Sequence, residues 1–302
     1  MASVAAIVGP TPLAARLSGA LEDIRKADSV AHLTIFLAVA FGFTSWFYRV
    51  SALLALLAVL LVPSTAKRPA LWGILAITAS ITVVLERDLA DNHKYLLCYW
   101  LWVMCVAHIP GDRELRDQII RFNARFFLVF IFLGAAVQKY LSATYMSGAM
   151  FELELLLDER FRAFAHLVGI DASLAEESVR RLLLLGNSYV QVLDDKILLL
   201  TDDRVHFVAN LITFYDFYVQ VAIGALLLFR RAVTDMIANL LLLFFIFTTY
   251  IPAPVFGFGF TLAILGFAMV KERSQFLSAA YLLSMVAIVF YQIPWREWVL
   301  GT

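Results

Sequence analysis

The sequence predicts an all-α integral membrane protein. It should have about eight or nine transmembrane helices, an N-terminal amphipathic interfacial helix and a helical extracytoplasmic insert. Three observations predict this: the composition, a series of apolar segments separated by short polar breaks, and the one-sided placement of the basic residues. Of 302 residues, 62% are hydrophobic and only 16% charged, and the mean hydropathy is +0.82. Soluble domains hold about half apolar and about a quarter charged residues. Basic and acidic residues balance at 24 each, so no net field exists to attract nucleic acid, and none is expected as a partner. No long soluble segment is present, so residues 30–302 read as one multi-pass domain in contact with membrane lipid.

The elements follow in order. Residues 1–9 are too short and uncharged for a cleavable signal. Thr11-Pro12 reads as an N-cap with Pro at the first helical position. Leu13, Leu17, Leu21 and Ile24 then form the apolar stripe of an interfacial helix within residues 1–29. Residues 31–63 are too long for one untilted span and are divided at Tyr48–Ser51, where aromatics and Arg49 suit an interface. A third span runs from Pro69 to Leu85 and a fourth from His93 to Ile109, which Pro110-Gly111 breaks. A basic loop with Arg113, Arg116, Arg121 and Arg125 precedes a fifth span, Phe126 to Leu141.

Residues 142–203 form the extracytoplasmic insert. Leu153, Leu156, Phe161 and Phe164 suggest an amphipathic helix, and Ser173-x-x-Glu176 a capping box before a leucine run that stops at Gly186. Span six is Val205–Phe229. Span seven, capped by Thr234 or Asp235, ends at Tyr250. Span eight is Val255–Val270, and span nine is Phe276–Ile293, with Trp295 and Trp298 at its exit. With a cytoplasmic N-terminus and an extracytoplasmic C-terminus, Arg25, Lys26, Lys67, Arg68, the four loop arginines, Arg230, Arg231, Lys271 and Arg273 share the inner side. Arg49, Arg87, Lys94 and Arg296 lie opposite, as the positive-inside rule requires.

The cysteines, Cys98 and Cys105, share a helix face ~10 Å apart, too far for a disulfide, and read as packing residues. No zinc spacing occurs, so no metal is expected. A bis-His haem would need a helix matching His93 and His108, and His32, His166 and His206 cannot supply one. No haem is expected either.

Polar residues inside spans are costly and face the bundle interior or a cavity. The candidates are Asn92 and His93 at the outer start of span four, Gln138 and Lys139 at the outer end of span five, and Asp216 and Gln220 deep in span six. Each has a structural alternative: snorkelling for Lys139, an interfacial helix start for His93, and a helix–helix hydrogen bond for Asp216. In the functional alternative, a lysine in an apolar pocket serves as a general base while an Asn or His stabilises the oxyanion left on the substrate.

Asn92-His93-x-Tyr95-Leu96 is similar to the Asn-His-x-Tyr-Leu segment of the vitamin K-dependent gamma-carboxylase family, whose membrane part is the horizontally transferred transmembrane (HTTM) domain. Ala135-Ala136-Val137-Gln138-Lys139, with Tyr145 and Gly148, resembles its Ala-Gly-x-x-Lys-Leu…Trp…Gly segment. The resemblance covers roughly residues 30–290. Tyr145 stands for the family's Trp and Ala136 for its Gly, Lys139 to Gly148 is one residue longer, and about Thr249 a histidine is replaced. The family's large lumenal region has no counterpart.

The resemblance implies Lys139 as a base on a quinol, with Asn92 and His93 polarising the substrate and Asp216, Gln220, Gln138 and Thr249 as pocket or orienting residues. The cofactor it implies is a quinone or quinol, and the location a bacterial inner membrane. Two functions follow as expectations. One is a carboxylase-like or quinol-dependent activity in an outer-leaflet pocket. The other is a non-catalytic accessory, assembly or peptide-toxin-related subunit that docks a membrane-protein partner on residues 142–203.

Overall fold

The computed structural model describes residues 28–87, 92–186, 201–250, 255–270 and 273–292. The interfacial helix expected at 1–29 lies outside the described residues except for its last two positions, as do the turn at 251–254 and the exit tryptophans Trp295 and Trp298. All regular structure among the described residues is helical. In chain order the helices are α1 (Ser29–Phe41), α2 (Trp46–Leu61), α3 (Pro69–Leu85), α4 (Asn92–Ala107), α5 (Arg113–Leu141), α6 (Ala143–Met146), α7 (Ala149–Leu157), α8 (Arg162–Leu167), α9 (Ala172–Gly186), α10 (Asp203–Leu228), α11 (Ala232–Tyr250), α12 (Phe256–Val270) and α13 (Gln275–Gln292). By length and composition α5, α10 and α11 can each cross a membrane, and α1, α2, α3, α12 and α13 are shorter apolar helices. The chain divides into two compact units, Met1–Arg125 with Phe256–Thr302, and Phe126–Val255.

In the first unit, α1 and α2 separate at Gly42–Ser45, several residues before the expected break at Tyr48–Ser51. Packing decides the position. A Cβ on Gly42 would collide with the Ala38 carbonyl and the ring of Tyr48, so glycine lets the buried Tyr48 fold back against the end of α1. Trp46, Tyr48 and Arg49 therefore open α2, with Arg49 N–H donating to the Ser45 carbonyl at 3.0 Å.

Helices α3 and α4 form the most extensive pairing, through fully buried Leu75, Ala76 and Ala79 on one side and Leu101 and Met104 on the other. Small residues allow this close approach of the two helix backbones. Neutral hydrogen bonds complete the packing: Trp100 Nε1 to Thr34 Oγ1 at 2.9 Å, Trp102 Nε1 to Ser80 Oγ at 3.0 Å, and Ser45 Oγ with Thr82 Oγ1 at 3.1 Å. Both cysteines are free, and the Cys98 thiol lies 3.3 Å from Ser80 Oγ. Helix α12 packs on α1, α4 and α13. Its Gly266 leaves space that the buried Tyr281 ring fills.

The stretch expected as a basic loop is helical, because α5 starts at Arg113 rather than Phe126. Asp112 Oδ2 accepts from Leu115 N at 2.9 Å, which caps the helix, and Gln118 donates to Glu114 one turn back at 3.3 Å. Arg116 reaches Asp28 at 2.7 Å and Asp117 at 3.5 Å, and Lys67 reaches Asp28 at 3.3 Å. Local acidic partners thus let the arginines continue the helix beyond its apolar part.

In the second unit the insert is a run of short helices with its own core. Ser142 caps α6 by accepting from Tyr145 N at 3.2 Å, and Gly148 turns the chain into α7 with a left-handed φ of 80°. Asp158 breaks the expected single amphipathic helix into α7, a 3₁₀ turn over Glu159–Phe161, and α8. Helix α9 begins at Ala172, and its cap is Asp171, which accepts from Ser173 N at 2.9 Å, in place of the expected Ser173 box.

Leu155, Leu156, Phe161 and Ile170 pack with Val205, Val208 and Ala209 of α10. The first turns of α10, expected to open span six, therefore belong to the insert core. His206 Nδ1 with Glu152 at 2.5 Å and Arg204 Nη1 to the Gly169 carbonyl at 2.9 Å fasten them there. Helix α11 begins at Ala232, ahead of the Thr234/Asp235 cap expected for span seven. Thr234 instead donates back to the Phe229 and Arg231 carbonyls.

Candidate functional site: an ion pair beside an apolar cavity

Asp216 lies midway along α10 and is 6% exposed. Its carboxylate collects three donors. Lys139 Nζ, near the end of α5, and the Tyr145 hydroxyl, on α6, both donate to Oδ2, and Gln220 Nε2 donates to Oδ1 at 2.7 Å. Lys139 Nζ also lies 4.9 Å from the centroid of the Tyr145 ring, a cation–π contact. Because Asp216 can only accept, Gln220 must present its amide N–H₂ to it, and this leaves Gln220 Oε1 buried without a partner. Burial, with the charge and hydrogen bond of Asp216, pushes the Tyr145 phenol well above its ordinary range. Tyr145 is therefore a permanent donor.

Breaking a buried pair is costly because it strands a charge. Removing one partner typically costs about 3–5 kcal/mol. The pair therefore holds α5 to α10, and the two neutral donors spread the carboxylate charge further.

Asp216 also lines a cavity of about 340 Å³. Phe151, Phe161, Phe164, Leu211 and Ile212 form its apolar walls, and Tyr215, Thr248 and Thr249 stand with Asp216 on the polar side. The Tyr215 hydroxyl is hydrogen-bonded to Thr248 Oγ1. Thr248, like Thr34, Thr82, Thr213 and Thr261, donates to the carbonyl four residues back. Thr249 Oγ1 is buried without a hydrogen-bond partner. The site thus combines aromatic and aliphatic walls, one anion and one uncommitted hydroxyl, the usual make-up of a small-molecule pocket.

The structure joins Lys139, Asp216 and Gln220 directly, and Thr249 borders the same cavity as Asp216. Gln138 is exposed, although its neighbour Lys139 is not. Asn92 and His93 belong to the first unit, where Asn92 opens α4. The His93 ring packs on the backbone of α12 at Gly257, where an added Cβ would lie 3.2 Å from His93 Cδ2. Sequence reasoning missed Tyr145 as a donor, together with Tyr215 and Thr248. The only signal was that Tyr145 stands where the resembled family has another aromatic. Among the described residues no group of three His, Cys, Asp or Glu side chains could hold a metal ion. No family model, curated protein or solved structure matches the chain.

Proposed function

We propose that α1–α5 and α10–α13 are nine membrane spans and that the cavity beside Asp216 takes a lipid-soluble hydroxy compound of the quinol class and removes its hydroxyl proton. The observation that carries this reading is that Asp216 faces an apolar cavity while an ammonium neutralises it. The substrate O–H gives its proton to the Asp216 carboxylate, which becomes the neutral acid, and Lys139 then faces the new oxyanion as its counter-charge. Net charge is unchanged, so the step does not add a buried charge. Lys139 is thus the electrostatic partner of a carboxylate base. It becomes the base itself only if the pair first exchanges its proton.

Two contacts support the topology. Lys67 and Arg116, both assigned to the inner side, meet at Asp28. Lys94, assigned to the outer side, lies 5.8 Å from the Phe43 ring in the turn between α1 and α2. The similarity of the Asn92–His93 and Lys139 segments to the carboxylase-type membrane domain supports the substrate class.

A naphthol whose emission reports its ionisation, titrated into the protein in lipid nanodiscs, tests the proposal. The wild type should bind and ionise the probe. Asp216→Asn should bind it un-ionised, and Lys139→Ala should lower ionisation at least tenfold. Equal ionisation in all three proteins would overturn the role given to the pair.

A further inference from the structure

The insert carries a second concavity, of about 570 Å³, between α7, α8 and α9. Leu155, Leu156, Ala165, Ile170 and Val179 give it an apolar floor and wall. Asp158, Glu159, Asp171 and Glu176 stand around it, with Arg162 and His166 as the basic lining residues, so acidic groups outnumber basic ones by four to two. Asp158 is already engaged by Arg160, and Asp171 caps α9. Glu159 and Glu176 are exposed.

An apolar floor with an acidic rim fits an amphipathic helix that places Lys or Arg beside its apolar stripe. Ala172 and Ala175 of α9 border the groove and leave room for a backbone to approach. The same rim repels an anionic lipid surface, so the groove suits a peptide rather than the headgroups beside it.

We propose that the groove between α7, α8 and α9 docks a cationic amphipathic helix of a partner protein or peptide, with Glu159 and Glu176 reading its charge. This goes beyond the cavity reading and does not depend on it.

The test uses the full chain in nanodiscs of neutral phosphatidylcholine. The probes are a labelled helical peptide of Leu and Lys at helical spacing and its Leu–Glu counterpart. The Leu–Lys peptide should bind saturably, weaken as salt rises, and outbind the Leu–Glu peptide at least tenfold. The double variant Glu159→Lys with Glu176→Lys should abolish that preference. Ala175→Trp, which fills the groove without changing its charge, should weaken binding of the Leu–Lys peptide about tenfold. Far-UV circular dichroism checks that both variants remain folded. Equal binding of the two peptides, binding equal to that of empty discs, or binding unchanged in both variants would each overturn the proposal. The naphthol response at Asp216 should be the same in these variants, so the two proposals fail separately.

Discussion

The two units handle buried polarity differently. In the first, the hydrogen bonds between α1, α3 and α4 join neutral groups, as where Trp100 donates to Thr34 and Trp102 to Ser80. Its charges gather near helix ends, where the little-exposed Arg116 meets Asp28 and the buried Asp117. In the second, a lysine and an aspartate meet partway along α10 with a cavity beside them. Both units hold buried oxygens without partners, Ser29 and Tyr48 in the first, Gln220 and Thr249 in the second, and of these Thr249 lines the cavity. Neutral hydrogen bonds between helices in membranes contribute modestly, about 0.6 kcal/mol on average. A buried charge pair is sensitive to loss of either member by several times that amount. The contrast is one of place: the charges of the first unit meet near helix ends, whereas the pair of the second meets midway along a helix and borders a cavity.

The largest expected effect would break this contrast if it failed. Asp216→Ala strands the Lys139 ammonium and should destabilise the second unit by about 3–5 kcal/mol, read as a lower midpoint in detergent denaturation. Lys139→Met combined with Asp216→Leu should recover most of that loss. A loss below about 1 kcal/mol for the single variant would place the pair with weak surface ion pairs. Next in size, Gly266→Ala should cost the first unit about 1–3 kcal/mol, because a Cβ there enters the space held by the rigid, buried Tyr281 ring. Gly134→Ala, where a Cβ meets nothing within 4 Å, is the control and should be neutral or stabilising by up to about 1 kcal/mol.

The smallest effect concerns pH and the insert. Burial, with the hydrogen bond and charge of Asp158, raises the Glu154 carboxyl from 4.5 to about 7. Its stabilising contribution is complete below about pH 4.5 and is lost as the pH rises through about 7. Asp158 is lowered from 3.8 to about 2, chiefly by the Arg160 hydrogen bond, so its contribution is present above 3.8 and is lost as the pH falls through about 2. Limited proteolysis of the insert should therefore be faster at pH 8 than at pH 5.5. Glu154→Gln should flatten that difference, and a profile identical to wild type would remove Glu154 as its source.

The all-helical fold and the long apolar helices α5, α10 and α11 were legible from residue order, because apolar runs and flanking charge mark such elements. Lys139, Asp216 and Gln220 stood out as polar residues in apolar surroundings. The pairing of Asp216 with Gln220, one turn away, follows from helical spacing, but that of Lys139 with Asp216 does not, since the two are 77 positions apart on different helices. The break at Gly42 was hidden for a related reason. The apolar run continues through it, and the clash that demands glycine comes from the folded-back Tyr48. The helical start of α5 was disguised by its arginines, although Asp112, Glu114 and Asp117 were visible as cap and counter-charges. Tyr145 drew attention only by family likeness, because a hydroxyl at a short helix beyond a span has no periodic signature.

The link through Ser142, Tyr145 and Gly148 has a mechanical meaning. It joins the end of α5 to the insert helices and also carries one of the three donors to Asp216. Any strain that uncoils this short tether withdraws a phenol from the carboxylate and leaves the ammonium and the amide to hold it. Displacement of the insert helices is thereby transmitted to Asp216 at the cavity wall as the loss of one hydrogen-bond donor.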